Sequence, residues 1–386
     1  GSDPEEILAN LQNQTYQEAD VQFPDKRGSD NEYHERIRDV DAETPSRFNN
    51  DPRRLYESSG CAGKLAVFAV RIDTFPIPEK HQVFYIGTND PAVMEQMRRD
   101  MLSTFTNLPV SGEYLHKSSY DISKKYGKDS YLVIDKLGTK YIPKMFAIKR
   151  TVDRWAEKFS FMPNKFSDRI MQYMSQMFPN HLPKRMEDFR AKYDHHWIVE
   201  TSNDGVAEAQ AYLDTFFKDN EGDYFACTDR EADQAILHRF VTGGALTRYH
   251  IMNGKDLGSI MTIDVAFPRN ELDWFEVLPQ EIDDKIAVKM YYGHFFCHVM
   301  HQNYIMKKGV DGKAVKKQIL ASYDVRGAEY PAEHNVGHEY LAKPALREFY
   351  QKTDPTNSFN SGIGGTSKLK NWQELSDEHT GCDCHK

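Results

Sequence analysis

The sequence lacks any apolar run long enough to cross a membrane as a helix, which takes about twenty consecutive apolar residues. Its longest clean apolar run is Leu65–Val70, a length typical of one buried strand. The mean hydropathy of −0.69 and the 28% of charged residues agree with this. A helical membrane span is therefore excluded, and 386 residues predict two or three folded domains.

Cysteine is also scarce, with five residues at positions 61, 227, 297, 382 and 384. An odd number without paired spacing excludes a disulfide framework. The chain opens on polar residues, with neither a signal peptide nor an initiating methionine. We therefore expect it to be a fragment of a longer protein.

Charge is spread unevenly along the chain. The net charge is −9, yet the basic segment (residues 119–192) holds 16 Lys and Arg against 8 Asp and Glu, a net of +8. Methionines and aromatics are mixed among these cations, a composition typical of a membrane interface. Each cation near an anionic leaflet contributes about 1 kcal/mol. A helical insertion that buries its own apolar residues is the alternative interpretation.

The hydrophobic periodicity predicts an α+β fold, with an antiparallel sheet and helices on one face. The predicted strands are 64–72, 81–87, 195–200, 224–227, 259–267 and 291–306. The predicted helices are 91–105, 206–217, 231–240 and 281–289. Asn89 or Asp90 is the expected cap of the first helix.

Three histidines, His294, His298 and His301, fall within eight residues of a mostly apolar segment. On a continuous strand, His294 and His298 would share one face and His301 would lie on the other. A bulge or a turn would instead bring His294 and His301 together. Because a buried imidazole needs partners, this cluster indicates a site more than plain core.

Three other stretches carry polar chemistry. Glu333 and His334 precede a glycine turn and offer a carboxylate ligand beside a general base, although a surface loop can have the same composition. Residues 354–365 form a turn-rich segment with side-chain amides, including Asn360. The small residues of 58–63 permit close approach of a ligand or of another backbone segment.

These stretches occur in the order found in the FAD-linked 2-hydroxyacid dehydrogenases with a vanillyl-alcohol-oxidase type of flavin domain, and the chain resembles that family. Its segments 57–71, 83–89, 291–295, 330–338, 354–358 and 370–374 resemble the respiratory, quinone-dependent D-lactate dehydrogenase branch. Ser59 stands where the wider family has Glu, and Asn335 stands where it has Gly. The interior of the motif between His294 and His301 also differs.

The resemblance implies an order of domains in which the front of the FAD-binding domain is absent. The implied parts are the end of the FAD-binding domain (1–75), a cap domain in two pieces (76–118 and 193–325), a membrane-binding basic segment (119–192) and a C-terminal return to the FAD-binding domain (326–386).

The resemblance also implies a reaction, the oxidation of D-lactate to pyruvate by hydride transfer to FAD. His334 would remove the hydroxyl proton, and Arg239 would bind the substrate carboxylate. His294, His301 and Glu333 would hold a divalent metal, either Zn or Mn. The implied FAD contacts are Ser58, Ser59, Gly60, Gly63 and Asn360.

The implied electron acceptor is a quinone. The protein would bind peripherally to the cytoplasmic face of the plasma membrane, with an anionic surface as partner of the basic segment and no nucleic acid. Three alternatives stay open: a related FAD-linked dehydrogenase of another D-2-hydroxyacid, an inactive cap and membrane-docking fragment, and a metal hydrolase that uses the histidine cluster without flavin.

Overall fold

The computed structural model describes residues 3–17, 20, 28–57, 59–68, 70, 72 and 74–373. The chain forms two compact units, one from residues 1–33, 49–75 and 334–386, the other from residues 34–48 and 76–333. The domain bounds implied by the resemblance stay a prediction.

The larger unit contains one antiparallel sheet of seven strands in the order β4-β1-β3-β2-β6-β7-β5. The strands are β1 (His81–Thr88), β2 (Ser111–His116), β3 (His195–Ser202), β4 (Asp223–Ala226), β5 (Leu257–Ala266), β6 (Ile286–His294) and β7 (Val299–Lys307). The predicted α+β class is therefore confirmed. The assignment to a vanillyl-alcohol-oxidase type of flavin domain stays a prediction.

Strand register gathers five polar side chains on one face of this sheet. Glu113 of β2 lies opposite His294 of β6. His301 of β7 lies opposite both Tyr292 of β6 and Asp264 of β5. Directly opposed residues point to the same face, and so do residues two apart on one strand. Pairing of neighbouring strands is thus enough to bring these groups together.

Helices cover the sheet on both faces, and not on one face as predicted. Within the described residues the helices are α1 (Pro4–Asn13), α2 (Tyr33–Arg36), α3 (Pro91–Thr104), α4 (Lys117–Tyr126), α5 (Lys128–Leu137), α6 (Ile142–Ala156), α7 (Phe166–Gln176), α8 (Lys184–Lys192), α9 (Asp204–Phe216), α10 (Asp229–Phe240), α11 (Thr242–Asn253), α12 (Gln280–Asp283), α13 (Gly312–Val325) and α14 (Pro344–Thr353).

Two contacts fix the opposite positions of α10 and α13. Arg239 of α10 lies over the ring of Tyr292, on the face that also carries His301. Tyr323 of α13 hydrogen-bonds Gln302, whose side chain alternates with that of His301 and so lies on the other face. The Arg239 face is packed with apolar side chains from α4, α5, α8 and α10.

Most of the predicted elements are confirmed. The observed strands β1, β3, β4 and β5 and the helices α3, α9 and α10 overlap the predicted ranges. Asp90 caps α3, since its side chain accepts a hydrogen bond from the Ala92 N–H at 2.8 Å. These segments had clear periodicity or a clear start signal, which explains the success.

The predicted buried strand at 64–72 is wrong. None of its described residues is in a strand, and Val67, Phe68, Val70 and Ile72 are all exposed. A strand needs a neighbour to pair with, and the described part of the chain supplies none here. The apolar composition of a segment therefore did not decide its structure.

The predicted helix 281–289 and long strand 291–306 are also wrong. Helix α12 ends at Asp283, and the strand β6 begins at Ile286. A short 3-10 turn at Phe295–Cys297 separates β6 from β7, and His298 adopts a left-handed φ of 51°. The segment is a hairpin, which brings His294 and His301 to one face and leaves His298 in the turn.

The basic segment is helical and keeps many apolar side chains exposed. It runs from within α4 to the end of α8. Twelve large apolar residues of this segment are exposed: Leu137, Tyr141, Phe146, Ile148, Trp155, Phe159, Phe161, Ile170, Tyr173, Met174, Met177 and Phe178. Among the described residues, no helix has the length and apolarity needed to cross a membrane.

The smaller unit is built from helices and turns in its described residues. Buried Leu346 and Tyr350 of α14 pack with Ala342 against partly buried Tyr56 and Trp372. This cluster joins segments that are about 300 residues apart in the sequence, so the beginning and the end of the chain share one small core.

Candidate functional site

The hairpin of β6 and β7 carries a compact histidine and carboxylate cluster. The Nε2 atom of His294 lies 3.2 Å from Oε2 of Glu333. The Nε2 atom of His301 lies 3.7 Å from the same oxygen. One ligand atom from each residue lies within 4.8 Å of the others. The structure thus brings together the three residues predicted as metal ligands.

The outward nitrogens of both imidazoles face carboxylates. The Nδ1 atom of His294 lies 2.8 Å from Oε1 of Glu113, and Nδ1 of His301 lies 3.2 Å from Oδ1 of Asp264. Asp264 also accepts the backbone N–H of Glu333 through Oδ2, at 2.7 Å. Each ring is therefore held with its Nε2 toward Glu333. Metal-binding histidines are commonly oriented in this way, by a carboxylate at the ring nitrogen that does not bind the metal.

The two imidazoles have opposite electrostatic surroundings. Burial lowers the pKa of His294, but hydrogen bonds to Glu113 and Glu333 outweigh burial and raise its pKa to about 10. Burial lowers the pKa of His301 in spite of the nearby Asp264, which favours the neutral ring. Burial raises the pKa of Glu333, yet His294 and the Arg47 ion pair bring it well below the usual range. Glu333 is therefore an anion.

Arg239 lies beside this cluster. Its Nη2 atom is 2.9 Å from Oε2 of Glu113, and its guanidinium carbon is 4.5 Å from the ring centre of Tyr292. The side chain is buried, but neither Nε nor Nη2 makes an aligned hydrogen bond to a described residue. A buried guanidinium with unused donors can bind a carboxylate by donating two parallel hydrogen bonds to it.

His334 lies in a turn of the smaller unit. Glu333 is the last residue of the larger unit, and His334 is the first of the segment that follows. His334 is exposed, and the turn continues through Asn335 and Gly337 with left-handed φ angles of 65° and 70°. The N–H of His338 donates to the carbonyl of Asn335 at 3.0 Å. The role of His334 as a base stays a prediction.

Of the predicted flavin contacts, Gly60, Gly63 and Asn360 lie in one small region of the smaller unit. The Asn360 amide donates to the Ala62 carbonyl at 2.8 Å, across 298 positions of sequence. A side chain at Gly63 would approach the Asn360 amide nitrogen to 3.2 Å, and its φ of 75° favours glycine. Ser59 is half-buried nearby in sequence, whereas Ser58 lies outside the described residues.

A buried lysine fixes this turn to the end of the chain. The Lys64 ammonium donates to Oδ1 of Asn357 at 2.6 Å and lies 3.5 Å from Oδ2 of Asp354. Asp354 also accepts the N–H groups of Ser358 and Phe359, at 2.9 and 2.8 Å. The 59–64 turn and the 354–360 turn therefore form one rigid pair.

Four residues of the cluster were not predicted. Glu113, Asp264, Tyr292 and Arg47 all contact the predicted ligands or Arg239. What these four share is a polar side chain that faces the cluster from a strand or a loop. This shared position can be recognised only after the pairing of the strands is known. Strand β2, which carries Glu113, was itself not predicted.

Comparison with known proteins gives a clear result. Residues 83–372 match a family model described as D-lactate dehydrogenase, membrane binding. Three similar proteins are quinone-dependent D-lactate dehydrogenases. Identity is 51% over 375 residues for Escherichia coli strain K12, 52% over 375 for Haemophilus influenzae and 41% over 374 for Corynebacterium glutamicum. The matches cover 97, 97 and 96% of this chain but only 66, 66 and 65% of those proteins.

Solved structures are more distantly similar. A 4-ethylphenol oxidase from Gulosibacter chungangensis gives a TM-score of 0.42 at 10% identity, over 78% of this chain and 55% of that chain. A p-cresol methylhydroxylase gives 0.40 at 12% identity, over 76% and 54%.

Proposed function

We propose that this chain, which belongs to the D-lactate dehydrogenase, membrane binding family, takes part in the FAD-linked oxidation of D-lactate to pyruvate. A membrane quinone is the proposed electron acceptor. The names of the three relatives support the substrate and the acceptor. The observation that carries the proposal is Arg239, a buried guanidinium with unused donors, beside the His294, His301 and Glu333 cluster.

Arg239 is the proposed ligand of the substrate carboxylate. A guanidinium fork matches a carboxylate in two parallel hydrogen bonds, and burial strengthens both. Glu113 holds the guanidinium from one side by its charge, at 2.9 Å. Tyr292 supports it from below through the face of its ring. The substrate carboxylate would therefore meet a cation whose position is already fixed.

The cluster geometry suits a divalent metal. Ligand atoms around one tetrahedral ion with bonds of about 2.1 Å lie roughly 3.4 Å apart. The observed separations from Glu333 Oε2, 3.2 and 3.7 Å, bracket that value. When bound, the ion supplies Lewis acidity that polarises the substrate hydroxyl and lowers its pKa. Glu113 and Asp264 would keep the two imidazoles turned toward it, whether Zn or Mn.

His334 is the proposed general base. Its imidazole would take the hydroxyl proton of D-lactate, a step that needs hydrogen-bond reach to that hydroxyl. It follows Glu333 directly in the chain, and the two left-handed residues after it set the course of the turn. The proposal therefore places the base directly after a proposed metal ligand in the chain.

The proposed flavin contact consists of Ser58, Ser59, Gly60 and Gly63, together with Asn360. Residues without a large side chain permit a flat ring to approach the backbone closely. The Asn360 side chain, already bound to Ala62, fixes the shape of this edge. When bound, FAD would supply the flavin ring that accepts the hydride from C2 of D-lactate.

The basic segment is the proposed membrane contact. Its exposed apolar residues alternate with exposed cations, among them Lys136, Lys140, Lys144, Arg150, Arg154, Lys158 and Lys165. Such a surface suits an anionic leaflet, with cations at the headgroups and apolar side chains deeper. The proposed location is the cytoplasmic face of the plasma membrane, where a lipid-soluble quinone is within reach.

An anaerobic flavin assay tests the function directly. Full-length protein loaded with FAD is mixed with D-lactate and, separately, with L-lactate, and the flavin absorbance is followed. D-lactate alone should bleach the flavin. In Arg239→Lys, the D-lactate concentration for half-maximal bleaching rate should rise about 10- to 100-fold, because the fork geometry is lost.

A surface substitution provides the matched control. Arg185 pairs with Glu231 at the surface of α8, and Arg185→Lys should leave the bleaching rate unchanged. Bleaching by neither isomer, with FAD clearly bound, would contradict the proposed substrate. An unchanged D-lactate dependence in Arg239→Lys would remove Arg239 from the site.

A further inference from the structure

The helices of the basic segment enclose an apolar groove. The groove has a volume of about 380 Å³. Its apolar lining comes from Val133 and Leu137 of α5, Met145 and Ile148 of α6, and Met171 of α7. Three separate helices therefore contribute to one concave surface, which has the size of a site for a small molecule or for part of a lipid.

The charges at the groove are not equivalent. Lys149 also lines the groove, but its ammonium is paired with Asp168 at 2.6 Å. Lys144 lines the groove as well, is exposed, and makes no ion pair with a described residue. Lys140 is exposed in the 3-10 turn Thr139–Tyr141, and its ammonium lies 5.2 Å from the ring centre of Tyr141, which lines the groove. An apolar groove with one exposed lysine in its lining and a second against a lining tyrosine matches a ligand with an apolar chain and an anionic head.

We propose that this groove binds one acyl chain of an anionic phospholipid, with Lys140 and Lys144 at its phosphate. The inference rests on the proposed function only in that the chain works at a membrane. It adds a discrete lipid site to what would otherwise be a diffuse charged surface. A bound chain would hold α5, α6 and α7 at a fixed depth in the leaflet.

The groove favours a phospholipid over the tail of a quinone. A quinone is neutral, so it gains nothing from Lys140 and Lys144, and its ring would have to replace the headgroup between two cations. A phosphate makes charge-assisted hydrogen bonds with both. The outer face of the segment, with Phe161 and Tyr173 exposed, would then contact the leaflet around the bound lipid.

Monomeric short-chain lipid tests the site without a bilayer. Full-length protein is titrated calorimetrically with dihexanoyl phosphatidylglycerol below its micelle-forming concentration, and with dihexanoyl phosphatidylcholine in parallel. Saturable binding of one phosphatidylglycerol per chain is expected, with at least about tenfold weaker binding of phosphatidylcholine. Ile148→Trp, which fills the groove, should weaken binding at least about tenfold, and Lys144→Gln several-fold.

Phe161→Trp is the matched control, because it places the same bulky side chain on the exposed surface outside the groove, and it should bind as wild type does. Absence of saturable binding, while vesicles still sediment the protein, would overturn the site and leave only a diffuse surface. Tighter binding of a decyl-substituted quinone than of phosphatidylglycerol would overturn the choice of ligand. Lactate oxidation with a soluble dye, measured separately, reports on the proposed function alone.

Discussion

Two groups of histidines occupy the same face of the sheet in opposite surroundings. His294 and His301 stand at one place, each with a carboxylate at its outer nitrogen. His196 lies on β3, on the same face, because it opposes Leu115, which opposes Tyr292. His196 and the nearby His238 are fully buried, and neither ring nitrogen of His196 has a hydrogen-bond partner among the described residues.

Partners, and not burial alone, separate the two groups. Burial lowers the pKa of both His196 and His238 to about 3, so they act as apolar core. Burial also acts on His294, but two carboxylates reverse its effect and raise the pKa to about 10. The same side chain therefore belongs to the apolar core in one place and is held between two carboxylates two strands away.

The largest expected effect comes from removal of a partner in the first group. Glu113→Gln keeps the size of the side chain but takes a carboxylate from His294 and from Arg239. The affinity of the full-length protein for Mn²⁺ should fall about 10- to 100-fold, the usual cost of losing a carboxylate behind a metal-binding histidine. An equilibrium Mn²⁺ titration measures this.

Glu281→Gln removes the same charge from the exposed surface of α12 and should leave Mn²⁺ affinity unchanged. Wild-type affinity in Glu113→Gln would mean that the carboxylate does not orient His294. The contrast between the two groups of histidines would then rest on Glu333 and Asp264.

A smaller effect is expected from His196→Leu in the second group. In the wild type, the unfolded state takes up a proton on His196 below about pH 6.5, whereas the folded state resists it until about pH 3. Between these two pKa values, the free energy of unfolding therefore decreases as the pH is lowered, by about 1.4 kcal/mol per pH unit for one histidine. His196→Leu should remove that contribution and leave the protein more stable at pH 5.

Urea unfolding at pH 8, 6.5 and 5 measures the slope. His34→Leu is the control, because that ring is 67% exposed, and it should keep the wild-type slope. If the free energy of unfolding of His196→Leu changes with pH as that of the wild type does, His196 has a hydrogen-bond partner in the folded protein. That result would weaken the contrast with His294.

Sequence reasoning was most successful where local pattern decides structure. Segments with a capping residue or clear alternation, such as α3 and β3, folded as predicted. It failed where long-range pairing decides. The apolar run after Lys64 has no strand to pair with among the described residues, and the histidine segment is interrupted by a 3-10 turn that no local signal marked.

The site followed the same rule. His294, His301 and Glu333 were identified through resemblance to a family, and the structure places them together. Glu113 and Asp264 could not be identified, because their relation to the histidines depends on the register of β2 with β6 and of β5 with β7. The proposed metal ligands belong to motifs that are visible in the sequence. The carboxylates that orient these ligands are brought to them by strand pairing, which the sequence does not reveal.

The most direct test of the metal site is a count of bound ions. Full-length protein loaded with FAD is stripped with chelator and titrated with Mn²⁺ under electron paramagnetic resonance, beside its Glu333→Gln variant. The account predicts one tightly bound Mn²⁺ per chain in the wild type and none in the variant. A folded, FAD-loaded wild type without specific Mn²⁺ or Zn²⁺ binding would contradict it, and so would equal binding by the two proteins.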